Sequence, residues 1–203
     1  QGFNNTLKVI GFERIVDYTI QNFPQIGKIK TYFITGEDHF GWYIKRDHIN
    51  AGLILQERAE KSGRNDLIYL GHMEADIRFD SNHRPIKISH PGGGTGYAIS
   101  YKIQKIIQSF AGDLKPAVFI CGHMHKAEVL PTYRNVTAIQ PGCFEDQTPF
   151  MRKLALEAHI GGYIATLGYD DNSGALLRIK TEFIRFFNRE FYEENQSDWE
   201  FKW

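Results

Sequence analysis

The chemistry-bearing residues of this chain gather where apolar runs stop. Tyr32-Phe33-Ile34-Thr35 leads into Gly36-Glu37-Asp38-His39, Ile86-Lys87-Ile88-Ser89 into His90, and Ala117-Val118-Phe119-Ile120-Cys121 into Gly122-His123-Met124-His125. Strand C-termini in open α/β sheets are where binding sites collect, and imidazole and carboxylate donors suit Zn, Mn or Fe. His123 and His125 are spaced i, i+2, which in an extended segment turns both rings to one face. With Gly122 before them they read as a metal pair at a loop mouth. His90, in Ser89-His90-Pro91-Gly92-Gly93-Gly94, reads as a ligand or as the start of a flexible glycine turn. Glu37 and Asp38 read as oxygen ligands or as turn residues. His48, His72, His83 and His159 read as ordinary hydrogen-bonded histidines, Cys121 as a core thiol and Cys143 as a small residue in a turn.

The elements that must position these residues are written in periodicity. Val9, Phe12, Val16, Ile20 and Phe23 recur at threes and fours, predicting a helix over 7–23 that Pro24 ends. A buried strand is expected over 29–35, a second helix over 48–62 closed by Gly63, and strands at 67–69, 75–79 and 85–89. The turn Asp80-Ser81-Asn82 separates the last two. Ile99, Ile103, Ile106, Ile107 and Phe110 mark one face of a helix over 97–110, and 117–121 is a continuous apolar strand. Beyond it the helix–strand alternation gives way to successive strands at 127–130, 136–140, 162–169 and 175–187. The fold class expected is α/β, a layered β-sandwich with flanking helices whose last sheet is mostly antiparallel. A single domain over 1–189 would be followed by an acidic, aromatic tail over 190–203.

Composition narrows the function classes. The chain has 203 residues, of which 42% are hydrophobic and 24% charged, enough to bury a core and too ordinary for disorder. No apolar run approaches the ~20 residues of a membrane span, and the opening segment lacks the pattern of a secretory leader. Lys+Arg and Asp+Glu are both 24, so no broad basic field announces nucleic acid. Two cysteines fit a reduced compartment, taken as the cytoplasm. Lys45, Arg46, Lys61, Arg64 and Arg84 read as a basic rim for a polyanion or as a solvated face, and Trp42-Tyr43 as a base-stacking pair or as core packing.

Taken together, these segments resemble the calcineurin-like metallophosphoesterase family, whose motifs run Asp-x-His, Gly-Asp, Gly-Asn-His-Asp/Glu, a single His after a strand, and Gly-His-x-His. Gly122-His123-Met124-His125 matches the last block, His90 the single-His block, and Thr35 to Phe40 stands where Gly-Asn-His-Asp belongs. Gln140 to Phe150 resembles the strand and Pro-Gly-Ser segment that follows in the family, and the resemblance runs from about Leu7 to Phe187. It implies the αββα fold of that family. It also implies two divalent ions (Mn, Zn or Fe) and a metal-activated hydroxide that hydrolyses a phosphoester, as a phosphodiesterase or nuclease does, with nucleic acid among the candidate substrates. Asp38, His90 and His123 would bind the second metal and His125 the first, while His39 would touch the phosphate and protonate the leaving oxygen. That register assumes one inserted residue; without it, Glu37 takes the ligand place and Asp38 the catalytic one.

No Asp-x-His or Gly-Asp block precedes Gly36. The resemblance therefore also implies that the N-terminal part of the catalytic domain lies outside this chain. The alternative it leaves is a non-catalytic metallophosphoesterase-like module with an incomplete metal site, serving assembly or regulation. A zinc hydrolase of another fold would be expected to carry His-Glu-x-x-His, which is absent.

Overall fold

The three-and-four spacing near the N-terminus becomes α1 (Phe12–Asn22), with Val16 and Ile20 buried. The computed structural model describes residues 9–186 apart from 38, 95 and 97. The site residue Asp38 and the tail over 190–203 therefore lie outside the described residues. After α1 come β1 (Thr31–Thr35), a 3₁₀ turn (His39–Gly41), α2 (Trp42–Asp47), α3 (Ala51–Lys61), β2 (Leu67–His72), β3 (Glu74–Ile77) and β4 (Ile86–Ser89). They are followed by α4 (Tyr101–Ser109), β5 (Val118–Cys121), β6 (Ala127–Tyr133), β7 (Val136–Pro141), α5 (Pro149–Lys153), β8 (Gly161–Tyr169) and β9 (Leu176–Arg185). The architecture is mixed α/β with a central mixed sheet and flanking helices. Two compact units divide the chain: one runs to Ala75 and takes in His90–Gly92, and the other holds Asp76–Ser89 and the segment from Gly93 on.

In the first unit β1 and β2 pair in parallel, with Thr31 opposite Leu67 and Thr35 opposite His72. Leu55 and Ala59 of α3 pack with Val16, Ile20 and Leu67 into one core cluster, which Phe12, Phe33 and Phe40 complete. Asn50 caps α3, its side chain accepting from the Leu53 amide at 3.2 Å. Past the end of α1, Arg64 forks onto Asp66 at 2.7 and 3.1 Å and donates to the carbonyls of Ile20, Phe23 and Pro24. Ile20 is in the last turn of α1, whose carbonyls the helix end leaves without intrahelical partners, and Phe23 and Pro24 follow the helix directly.

In the second unit the sheet runs β3-β4-β5-β7-β6. β4 and β5 are parallel, β5 and β7 parallel, and β6 and β7 antiparallel. Side chains alternate across the sheet with a period of two. Phe119, Cys121 and Ala138 face α4, where Ile103 and Ile107 meet them. Val118 and Ile139 face the other way, onto Tyr163, Leu167 and Ile179 of the antiparallel β8–β9 hairpin. The unit is thus layered as helix, sheet and hairpin.

The sequence reading did not anticipate α2 or α5. Each is five or six residues, too short to show a helical period. The helix expected over 97–110 forms over Tyr101–Ser109, and Phe110 leaves it in extended conformation (φ −66°, ψ 130°).

Candidate functional site

In the first unit the site is built on the end of β1. Register places Thr35 beside His72, and the Thr35 hydroxyl lies 3.1 Å from both Tyr69 Oη and His72 Nδ1. The Thr35 carbonyl accepts from the Met73 amide at 2.7 Å, and the Met73 carbonyl accepts from the His90 amide at 2.8 Å. Two main-chain bonds therefore set the level at which His90 emerges. A Cβ on Gly36 would stand 2.2 Å from His90 Cδ2, so the imidazole lies directly on that glycine. A Cβ on Gly41 would stand 1.4 Å from the Gly36 carbonyl oxygen and 2.7 Å from His72 Cε1. The turn from Gly36 to Gly41 is wound that tightly, and His39 opens its 3₁₀ segment.

Glu37 is the carboxylate the structure describes in this turn. Lys45 donates to it at 2.5 Å. That hydrogen bond and the ammonium charge, with a smaller contribution from His72, hold the Glu37 carboxyl below the usual carboxylate range. Its other oxygen lies 3.3 Å from where a Gly92 Cβ would be. His72, read as an ordinary histidine, thus stands with Glu37 and His90 around one turn. The signal that marked the other sites was present for it too: a glycine and an imidazole, Gly71-His72, at the end of an apolar run.

In the second unit Ser89 and Cys121 are register partners, so β4 and β5 end level. The Gly122 amide donates to the Ser89 carbonyl at 2.9 Å, and the chain then turns sharply. His123 and His125 both hold left-handed backbone, at φ 76° and 54°. This corrects the extended i, i+2 reading: the segment is a tight turn, and the two rings are not aimed by strand alternation. Met124, 5% exposed, anchors the turn in the cluster of Phe119, Ile103 and Ile107. Non-glycine residues in this conformation cost energy and persist where surrounding structure holds them, often at functional sites.

His123 Nε2 lies 2.9 Å from the Gly93 carbonyl oxygen. A carbonyl only accepts, so Nε2 carries the proton and, in the neutral ring, Nδ1 carries the lone pair. Metal-binding histidines are commonly oriented in this way by a backbone carbonyl on the other nitrogen. The donor chemistry at His123 therefore fits a cation. Among the described residues, no group of three or more His, Cys, Asp or Glu side chains converges at metal-binding spacing.

The remaining candidates are held in place. Burial pushes the Cys121 thiol up to about 12, so it stays protonated and unreactive at neutral pH. Burial also raises the Cys143 thiol, which donates to the Glu145 carbonyl at 3.2 Å. His83 Nδ1 sits 2.7 Å from Asp80. His159 Nδ1 accepts from the Ala127 amide at 2.9 Å, and His48 ends α2 in left-handed conformation. Arg64 and Arg84 form no basic rim: Arg64 is clamped as described, and Arg84 donates to the carbonyls of Lys115, Pro116 and Asn135. Lys45 is on Glu37 and Arg46 on Asp47. Arg46 also stacks 4.1 Å above Trp42, which is half exposed rather than core.

No family model and no curated protein matches the sequence. Among solved structures, a single mutant of Vps29 from Entamoeba histolytica matches with TM-score 0.39 and 15% identity, covering 86% of this chain and 89% of that one. Wild-type Vps29 from the same organism, complexed with Zn²⁺, matches with TM-score 0.37 and 14% identity, covering 76% and 98%. Vps29 from Chaetomium thermophilum matches with TM-score 0.36 and 12% identity, covering 87% and 89%.

Proposed function

We propose that the chain is a metal-dependent phosphoesterase acting on a phosphodiester. The observation that carries this reading is the turn after β5, where His123 and His125 are held in left-handed backbone and the Gly93 carbonyl fixes the His123 tautomer. Asp38, His90, His123 and His125 are the ligands proposed, and His39 the proton donor to the leaving oxygen. When bound, the metal would supply a Lewis acid and hydroxide at neutral pH. The chain's own groups prepare the donors. Gly93 keeps the proton on His123 Nε2, and the main chain through Met73 sets the level of His90. Lys45 holds the Glu37 carboxyl below its ordinary value, by its hydrogen bond first and its charge second.

The competing reading is a non-catalytic module serving assembly or regulation. Metal content and turnover separate the two. The catalytic reading expects bound Mn or Zn together with hydrolysis of bis(p-nitrophenyl) phosphate, and it expects His123→Ala to lower bound metal at least about tenfold. Unchanged metal content in that variant, or no turnover with metal bound, rejects it.

A further inference from the structure

Beside the turn after β5, within the second unit, lies a pocket of about 660 Å³, inside the ~300–1,000 Å³ range of small-molecule sites. Ile99, Met124 and Leu156 give it apolar walls, and Lys102, Lys126 and Glu157 bring charge to it. Met124 is the residue between the two candidate ligands, so the pocket and the proposed centre share one turn. Ala155, which also lines it, holds left-handed backbone at φ 53°, as His123 and His125 do. Strained non-glycine backbone gathers at ligand sites, and here three such residues belong to one pocket and the turn that walls it.

The charges are distributed. Lys102 Nζ stands 3.0 Å from the position of a Gly93 Cβ, next to the backbone that holds His123. Lys126 and Glu157 form a separate pair at 2.9 Å, and the same Glu157 oxygen lies 3.3 Å from His159 Nε2. The pocket therefore offers an ammonium near the His123 turn, an apolar middle, and a carboxylate beside an ammonium. A carboxylate accepts two adjacent N–H groups and an ammonium donates to a carbonyl oxygen. The Watson–Crick edge of guanine presents that complement: N1–H and the 2-amino group next to O6.

We propose that this pocket takes a guanine nucleotide, with the base edge on Glu157 and Lys126 and the phosphate toward Lys102. The substrate class of the centre is then a guanosine phosphodiester, an assignment that rests on the phosphoesterase reading above. The test is calorimetric titration of the whole chain in EDTA with GMP and, separately, AMP. GMP is expected to bind with Kd below about 1 mM and AMP at least about tenfold more weakly, because the hydrogen bonds to N1–H and O6 are lost. Glu157→Gln, at a solvent-exposed side chain, is expected to erase the preference for GMP, and Leu156→Trp to block both ligands. Absence of GMP binding, equal affinity for GMP and AMP, or a preference that survives Glu157→Gln overturns the assignment. Because metal is chelated, this outcome is independent of turnover: GMP binding without any hydrolysis of bis(p-nitrophenyl) phosphate in manganese would sink the phosphoesterase reading and leave the pocket standing.

Discussion

Two glycines in the first unit do opposite work, and substitution separates them. At Gly36 the obstacle to a Cβ is the His90 ring, a side chain that can rotate away; at Gly41 it is the Gly36 carbonyl, which cannot move without the turn. Gly36→Ala should therefore keep the melting temperature while displacing the His90 imidazole, seen as a shift of its NMR ring signals and weaker manganese binding. Gly41→Ala should lower stability by about 1–3 kcal/mol, as overpacking does, measured by urea unfolding. Equal losses of stability in the two would show that the contacts are not as described. In the sequence Gly36 reads as the stop of a strand and as a glycine that lets the backbone approach a ligand closely; that the close neighbour is the His90 ring, and that Gly41 is pressed on the Gly36 carbonyl, is visible only in the structure.

Arg64 binds the loop between α1 and β1 to the start of β2. It is 9% exposed, and its guanidinium serves one carboxylate and three carbonyls. Arg64→Ala would leave Asp66 as a buried, uncompensated charge, and such a loss costs about 3–5 kcal/mol. Arg64→Lys should recover little, because an ammonium cannot reproduce the fork. The pH dependence follows from the same pair. Arg64 holds the Asp66 carboxyl below its ordinary value in the folded state. This contribution is complete above the unfolded carboxylate pKa of about 3.9 and is lost as pH falls through the lower folded value. Urea titrations of wild type and Arg64→Ala between pH 6 and 2 should converge toward the acid end.

The elements that were legible in the sequence were those with a long period or a sharp stop. β1, β5 and the hairpin strands lie within two residues of where apolar runs and glycines put them, and α1 and α4 within a few. α2 and α5 span too few turns to show a period, although Thr148, whose hydroxyl accepts from the Met151 amide at 3.2 Å, followed by Pro149, is a legible helix start. The turn at His123 and His125 was legible in composition but not in conformation, because left-handed backbone is expected of glycine and here falls on the two residues that flank the buried Met124. Arg64 and Arg84, which read as a basic rim or as a solvated face, instead bind main-chain carbonyls, and charge in a sequence does not reveal which guanidiniums do so.

On the scale of the whole chain, 24 basic and 24 acidic residues cancel, and the isoelectric point is near 7.2. Little net repulsion keeps copies apart at neutral pH. The outer surface of the β8–β9 hairpin adds Ile164, 61% exposed, and Leu177, 73% exposed. Light scattering should therefore show self-association strongest near pH 7 and weaker by pH 9, where the chain is anionic. An Ile164→Lys, Leu177→Lys double variant should shift that maximum upward and reduce its height.

Met124 is where the layers of the second unit and the proposed chemistry meet. Its thioether sits in the core with Phe119 while its backbone separates His123 from His125. Among core hydrophobes, a thioether is the one that peroxide turns into a polar sulfoxide. Oxygenation at that single sulfur would push the side chain out of its apolar seat, free both flanking imidazoles from their constrained backbone and reshape the adjoining pocket together. Peroxide would thus act at once on the proposed centre and on the core that anchors it, and enzymatic reduction of the sulfoxide would be the way back.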